Sequence, residues 1–168
     1  QLVNTGSWTY DLVKGETFWS DEVYNILQCN HDELKNKLDD FCSYIHPDDV
    51  EEVKKSLQFA LEGREYDIVY RIIPLSSGEK YIREKTKVLY DENKNPIKIF
   101  GIIQDITVQK LIEKDLRAFG EDLNRAQRVA GVGSWKYDVI KDEIFWSEEI
   151  YRIYGTNPMN FQSFLNLF

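Results

Sequence analysis

Polar and apolar residues alternate over residues 6–13, with Trp8, Tyr10 and Leu12 on one face and Thr9 and Asp11 on the other. A period of two predicts a strand. Lys14-Gly15 supplies a turn and Thr17-Phe18-Trp19 starts a second strand, so the two form a hairpin. Ser20 then precedes Asp21-Glu22, the pattern of a side-chain N-cap followed by acids in the first turn. Val23, Ile26 and Leu27 provide the apolar face of a short helix. Residues 32–45 have the spacing of short helical turns, with Leu34, Leu38, Phe41 and Ile45 inward. His46-Pro47-Asp48-Asp49 starts a longer helix, because proline fits a first turn and the acids face the positive end of the dipole. Val50, Val53, Leu57 and Leu61 continue it at helical spacing, and Gly63 stops it.

Three strands follow. Glu65 to Ile73 places Tyr66, Ile68, Tyr70 and Ile72 on one face. Ser76-Ser77-Gly78 turns the chain into a strand from Lys80 to Tyr90. After a turn at Asp91 to Pro96, the run Ile97 to Ile103 is nearly all apolar, which predicts a central strand covered on both faces. Beyond Asp105-Ile106-Thr107 the pattern becomes a long helix with Thr107 as its cap. Ile112, Leu116, Phe119, Leu123, Ala126 and Ala130 are spaced 4-3-4-3-4, a coiled-coil seam interrupted only by Gly120. The same stripe would serve a helix packed on its own domain. Its position between two repeated segments favours a dimer contact or an inter-domain connector.

Those repeated segments are the chain's most informative feature. Residues 6–27 read GSWTYDLVKGETFWSDEVYNIL and residues 133–154 read GSWKYDVIKDEIFWSEEIYRIY, identical at 13 of 22 positions at an offset of 127. A period this long fits a tandem array of whole domains rather than a solenoid. At that offset Phe168 corresponds to Phe41, so the second copy reaches about a third of the way in. The organisation expected is a complete domain at 1–107, a connector at 108–130 and the truncated start of a second domain at 131–168. Because the chain starts at Gln1 and its one Met is Met159, it is expected to be a fragment of a longer protein.

Composition narrows the function. The chain has 168 residues, 42% hydrophobic and 14% aromatic, which suits a folded globular chain. A net charge of −8 argues against a phosphate-backbone partner. The acidity belongs to residues 1–107, at −7, whereas residues 108–128 carry five basic and four acidic groups. No run approaches the ~18–20 apolar residues of a membrane span. Cys29 and Cys42 form no CxxC pair, and with His31 and His46 they are too few for a disulfide framework or a zinc site. No phosphate loop, HExxH or nucleophile signature occurs, so no catalytic residue and no metal site is expected. Asp39-Asp40 and Asp48-Asp49 are solvated faces or helix-start charges rather than acid/base dyads.

With this element order, the chain resembles the PAS domain, of the PAS-plus-PAC type found in prokaryotic sensor proteins. The matching words are GSWTYD at 6–11, FWSDEVY at 18–24, HPDD at 46–49, YRI at 70–72 and GIIQDIT at 101–107, followed by the charged helix start VQKLIEKDL at 108–116. Two departures are Pro74-Leu75-Ser76-Ser77-Gly78, where many members carry a charged residue and Asp-Gly, and Tyr81, where many carry Trp. The resemblance implies an α+β PAS fold: a five-stranded antiparallel sheet with short helices on one face, a connector helix and the start of a second copy. It implies a sensory, non-catalytic module in a cytoplasmic multi-PAS protein, most often a histidine kinase of a two-component system. A diguanylate cyclase or phosphodiesterase output is the alternative, as is a ligand-free dimerisation module.

Several expectations about the site follow. In this fold the cavity lies between sheet and short helices, which makes Phe41, Ile45, Leu57, Ile68, Tyr70 and Ile103 the lining candidates for a small apolar ligand; alternatively they fill a dry core. Haem is disfavoured, because His46 belongs to the helix-entry word and His31 aligns with Pro158 of the second copy. Flavin is disfavoured because the reactive-cysteine word of light-sensing relatives is absent. Cys42 has no basic neighbour, so it is expected to be inert. By the resemblance, Asp105 and Thr107 are expected to anchor the sheet to the exit helix, and with Ile112, Leu116, Phe119 and Leu123 they form the expected relay. The partners expected are a second copy through the connector helix and an output domain in the same parent chain. No nucleic-acid or membrane contact is expected of this fragment.

Overall fold

The alternation at the N-terminus builds a hairpin. In the computed structural model, which describes residues 4–34, 38–74 and 78–157, β1 (Thr5–Asp11) pairs antiparallel with β2 (Glu16–Trp19) and sets Trp8 opposite Trp19. Gly15 closes the turn at φ 69°, a left-handed conformation that a side chain disfavours. The chain divides into two compact units between Lys110 and Leu111.

In the first unit α1 (Asp21–Leu27) buries Val23, Ile26 and Leu27. Ser20 precedes it without a side-chain cap bond, contrary to the expected N-cap. Its Oγ instead accepts the Ser7 N–H at 2.9 Å, while Ser20 N–H donates to Ser7 O at 2.9 Å. The serine ties helix entry to the strand rather than capping the helix. A 3-10 turn at His31–Leu34 and α2 (Leu38–Tyr44) follow, burying Leu34, Phe41 and Tyr44. The Leu38 side chain and the turn residues Ser76 and Ser77 lie outside the described residues. Pro47–Asp49 forms a 3-10 turn that leads into α3 (Val50–Leu61), and Gly63 ends it at φ 87°.

The sheet is completed by β3 (Tyr66–Ile72), β4 (Lys80–Tyr90) and β5 (Pro96–Asp105). Its order is β2-β1-β5-β4-β3, all antiparallel. The last strand is central, as the apolar run predicts, but it is covered on one face only. Ile99 and Ile103 are buried, whereas Ile102 on the opposite face is 48% exposed. The core joins Trp8, Trp19, Val23, Leu27, Ile72, Ile82 and Ile103 between the sheet and the helices.

Helix α4 (Thr107–Ala130) starts in the first unit, runs on through the boundary and buries none of its residues. In the second unit β6 (Trp135–Asp138) and β7 (Glu143–Trp146) form a hairpin with Trp135 opposite Trp146, followed by α5 (Glu148–Ile153). It repeats the first hairpin bond for bond: Ser134 N–H donates to Ser147 Oγ at 3.0 Å and Ser147 N–H to Ser134 O at 2.8 Å. Burial differs, since Trp135 is 66% exposed and Trp8 5%. Among the described residues no helix is long and apolar enough to cross a membrane.

Gly120 offers a test of the helix. A Cβ built there meets nothing within 4 Å, so Gly120→Ala is expected to stabilise α4 by about 1 kcal/mol. Thermal melting followed by circular dichroism checks it, and an unchanged or lower melting temperature contradicts it.

Candidate functional site

The interior is organised around a carboxylate. Along β4, Ile82, Glu84 and Thr86 are buried and alternate with exposed Arg83, Lys85 and Lys87. Glu84 stands opposite Ile68 on β3 and Ile103 on β5, so its side chain enters the core. Three donors meet it: Trp8 Nε1 at 2.7 Å on Oε1, and the hydroxyls of Tyr66 at 2.9 Å and Tyr70 at 3.0 Å on Oε2. The network therefore joins β1, β3 and β4. Trp8 reaches Glu84 across β5 because its partner there is Gly101; a Cβ on Gly101 would stand 2.5 Å from Trp8 Nε1. Burial pushes the Glu84 carboxyl above the usual glutamate range, and the three donors pull the other way. Burial also raises the Tyr66 and Tyr70 phenols, and the neighbouring Glu84 charge adds to it.

A second polar cluster joins the sheet to α4. Asp105 Oδ1 accepts the Thr107 N–H at 2.9 Å and the Thr107 hydroxyl at 2.5 Å. Thr107 Oγ1 accepts the Tyr81 N–H at 3.0 Å, and Ile106 N–H donates to Tyr81 O at 2.9 Å. Lys80 Nζ lies 3.5 Å from Asp105 Oδ2 and donates to Ile26 O at 2.9 Å. The start of β4, the end of β5, the end of α1 and the start of α4 thus share one set of bonds. The sequence points to Thr107 as the helix cap, but the capping carboxylate belongs to Asp105. The Thr107 hydroxyl faces back to β4.

Comparison with known proteins places this geometry. The PAS fold family matches residues 16–103. The chain belongs to the PAS family. It is 30% identical over 113 residues to the sensor protein FixL of Bradyrhizobium diazoefficiens, covering 67% of this chain and 22% of that protein. It is 28% identical over 113 residues to a blue-light-activated histidine kinase of Brucella ovis, with the same coverage. The chain therefore spans about a fifth of the length of these relatives, 22% in each. A sensory box histidine kinase/response regulator from Burkholderia thailandensis superposes with a TM-score of 0.60 at 28% identity, over 73% of this chain and 92% of that one.

Within the PAS unit, the six lining candidates all reach one core. Phe41, Ile45, Tyr70 and Ile103 are buried in it, and Leu57 and Ile68 pack against it. Phe41 stacks on Trp19 with centroids 5.4 Å apart, and Trp19 lies 5.9 Å from Trp8. These aromatic and aliphatic side chains pack together between the sheet and the helices. The Trp19 indole N–H is buried there without a hydrogen-bond partner. Sequence reasoning singled out neither Glu84 nor Trp8 and Tyr66 as its partners. The signal was present, because Glu84 falls on the same alternation as Ile82 and Val88.

The remaining candidates sit away from the core. His46 Nδ1 accepts the Asp48 N–H at 3.2 Å, and its Nε2 lies 3.9 Å from Glu79. His31 stacks on Tyr24 at 3.9 Å. Neither imidazole belongs to the core cluster. Among the described residues no group of three His, Cys, Asp or Glu is placed to hold a metal. Asp49 does more than charge a helix start: it accepts from Arg71 N at 2.8 Å, Nε at 2.9 Å and Nη2 at 2.5 Å. The Arg71 guanidinium holds the Asp49 carboxyl below its usual range. This bidentate pair fastens the start of α3 to β3. Burial pushes the Cys29 thiol up, which disfavours its reactive thiolate form.

The relay candidates on α4 are exposed along the stripe: Ile112, Leu116, Phe119 and Leu123 are each about half exposed or more. Two clefts open elsewhere on the first unit, one of about 490 Å³ bordered by Tyr66, Thr86 and Lys87, the other of about 540 Å³ bordered by Val69, Gln104 and Gln109. None of the six lining candidates borders either cleft.

Proposed function

We propose that this chain is a sensory module of a longer signalling protein, non-catalytic itself, that relays a change in its PAS core through α4 to an output domain. The observation that supports it is the junction of Asp105 and Thr107, where β4, β5, α1 and α4 are tied together. A shift of the core packing moves that junction, and with it the angle or register of α4. Kinship with two sensor proteins makes a histidine kinase of a two-component system the parent we favour, in the cytoplasm. Residues 131–168 are read as the start of a second PAS copy, because the β6–β7 hairpin and α5 reproduce β1, β2 and α1.

The exposed seam of α4 is assigned to a second copy of the chain. Its 4-3-4-3-4 spacing suits a two-helix contact, and the near balance of flanking charge does not oppose it. Leu116→Asp and Leu123→Asp are each expected to shift the chain from dimer toward monomer in sedimentation velocity. An unchanged oligomeric state would sink the dimer reading.

A small molecule in the core is the signal this reading favours. The blue-light-activated relative keeps a light-absorbing cofactor open for the chain, and the relatives lend no support to the sequence-based disfavour of haem and flavin. A visible absorption spectrum of gently purified protein tests both groups directly. Native mass spectrometry separates a sensor, which carries a bound small molecule, from a ligand-free association module, which gives an empty dimer.

A further inference from the structure

The end of α1 depends on the sheet for its charge. Its last turn contains no basic residue, and Asn25 stands where the repeat has Arg152, the basic residue that α5 carries in its own last turn. Two of the closing carbonyls are satisfied locally, Tyr24 O by Cys29 N–H at 3.1 Å and Asn25 O by Gln28 N–H at 3.3 Å. The next, Ile26 O, accepts from Lys80 Nζ at 2.9 Å, a cation that comes from the first residue of β4. Carbonyls at a helix end lack an intrahelical donor, and a cation suits their partial charge. Helix α4 is matched in the opposite sense. Its first turn contains no acid, and Asp105 supplies one from the end of β5 by accepting the Thr107 N–H.

These two charges face each other. Lys80 Nζ lies 3.5 Å from Asp105 Oδ2, and the side chains are 16% and 14% exposed. Water and salt screen a pair at that depth much less than one at the surface, so displacement of one charge is felt by the other. The start of α1 is fixed by contrast. Ser7 and Ser20 exchange two hydrogen bonds there, and a Cβ on Gly6 would stand 2.7 Å from Val23 Cγ2, so the helix rests directly on β1. At the other end Ile26 and Leu27 are 2% and 0% exposed in the core. Repacking of the core therefore displaces the end of α1 rather than its start, and Ile26 O is at that end.

We infer that Lys80 is a positioning residue that couples α1 to α4: it holds Ile26 O and Asp105 together, so a displacement of α1 by the core reaches the first turn of α4 directly. The inference rests on the sensor reading and names the helix through which the core acts. Coupling is reciprocal, so a change at Asp105 is felt at the end of α1. Amide hydrogen exchange of the chain, resolved by NMR, tests it. Asp105→Asn is expected to speed exchange of the Gln28 and Cys29 N–H groups about fivefold or more, the lower end of typical couplings. Lys80→Met keeps the apolar stem and loses the cation. In that background Asp105→Asn is expected to change the same rates by no more than about twofold. Lys80→Arg keeps the cation and is expected to retain the response. A lysine that merely stabilises the fold would speed exchange when replaced, yet leave the Asp105→Asn effect in place, and that outcome overturns the inference. Unchanged Gln28 and Cys29 rates in Asp105→Asn alone also overturn it, a readout that does not depend on Lys80→Met folding. Native mass spectrometry of the same chain decides the sensor reading separately. A bound small molecule without the exchange response removes Lys80 from the relay and leaves the sensor reading standing, and an empty chain with the response intact does the reverse.

Discussion

Glu84→Ala is expected to destabilise the first unit by about 3–5 kcal/mol, a large share of the ~5–15 kcal/mol that holds a typical domain together. The substitution strips the acceptor from Trp8 Nε1 and from the Tyr66 and Tyr70 hydroxyls in one step. Each donor left unpaired in the core costs about 1–3 kcal/mol, partly offset by removal of the buried charge. Urea unfolding followed by tryptophan fluorescence reads the loss directly, since Trp8 is one of the donors. A midpoint within error of the native one would show that the network contributes nothing. Glu84→Gln separates charge from hydrogen bonding. Folding raises the Glu84 pKa, so its stabilisation is complete below the ordinary glutamate value and is lost as pH rises through the raised one. The advantage of native protein over Glu84→Gln is therefore expected to be largest in acid and to shrink toward neutral pH.

Gly101→Ala is expected to be nearly as damaging, although it adds one methyl group. That carbon would meet Trp8 Nε1 at 2.5 Å, Cε2 at 2.6 Å and Cζ2 at 2.9 Å. The indole must leave, and when it does Glu84 loses its Oε1 donor and Trp19 loses a ring neighbour. Overpacking costs about 1–3 kcal/mol by itself, and the broken buried bond adds to it. The readout is again the denaturation midpoint, accompanied by a change in the tryptophan emission of the folded state. Native emission and midpoint in Gly101→Ala would mean that the Trp8 ring does not cross β5.

Local pattern made much of this fold readable. The alternation at Trp8, Tyr10 and Leu12 marked β1, the Val50–Leu61 spacing marked α3, and Gly63 marked its end. It failed where one side chain serves a distant backbone. Ser20 has the sequence of a cap, yet its hydroxyl bonds Ser7 across the hairpin. Thr107 likewise opens α4, but its hydroxyl accepts from Tyr81 N of β4 as well as bonding Asp105. Ser7 and Tyr81 come close only after the sheet forms. The run Ile97–Ile103 suggested cover on both faces, because an apolar strand carries no mark of which face a helix will take.

The sequence by itself carried the resemblance to the PAS family in its matching words, the repeat of the opening hairpin in its self-similarity and the apolar stripe of α4 in its spacing, since each is written along the chain. Only the tertiary structure decided what occupies the centre. Glu84 looks like one more charged residue in a charged strand, and only the register of three strands brings Trp8, Tyr66 and Tyr70 around it. The contact of Lys80 with Ile26 and Asp105 has the same origin, because the ends of α1, β4 and β5 meet only in the assembled domain.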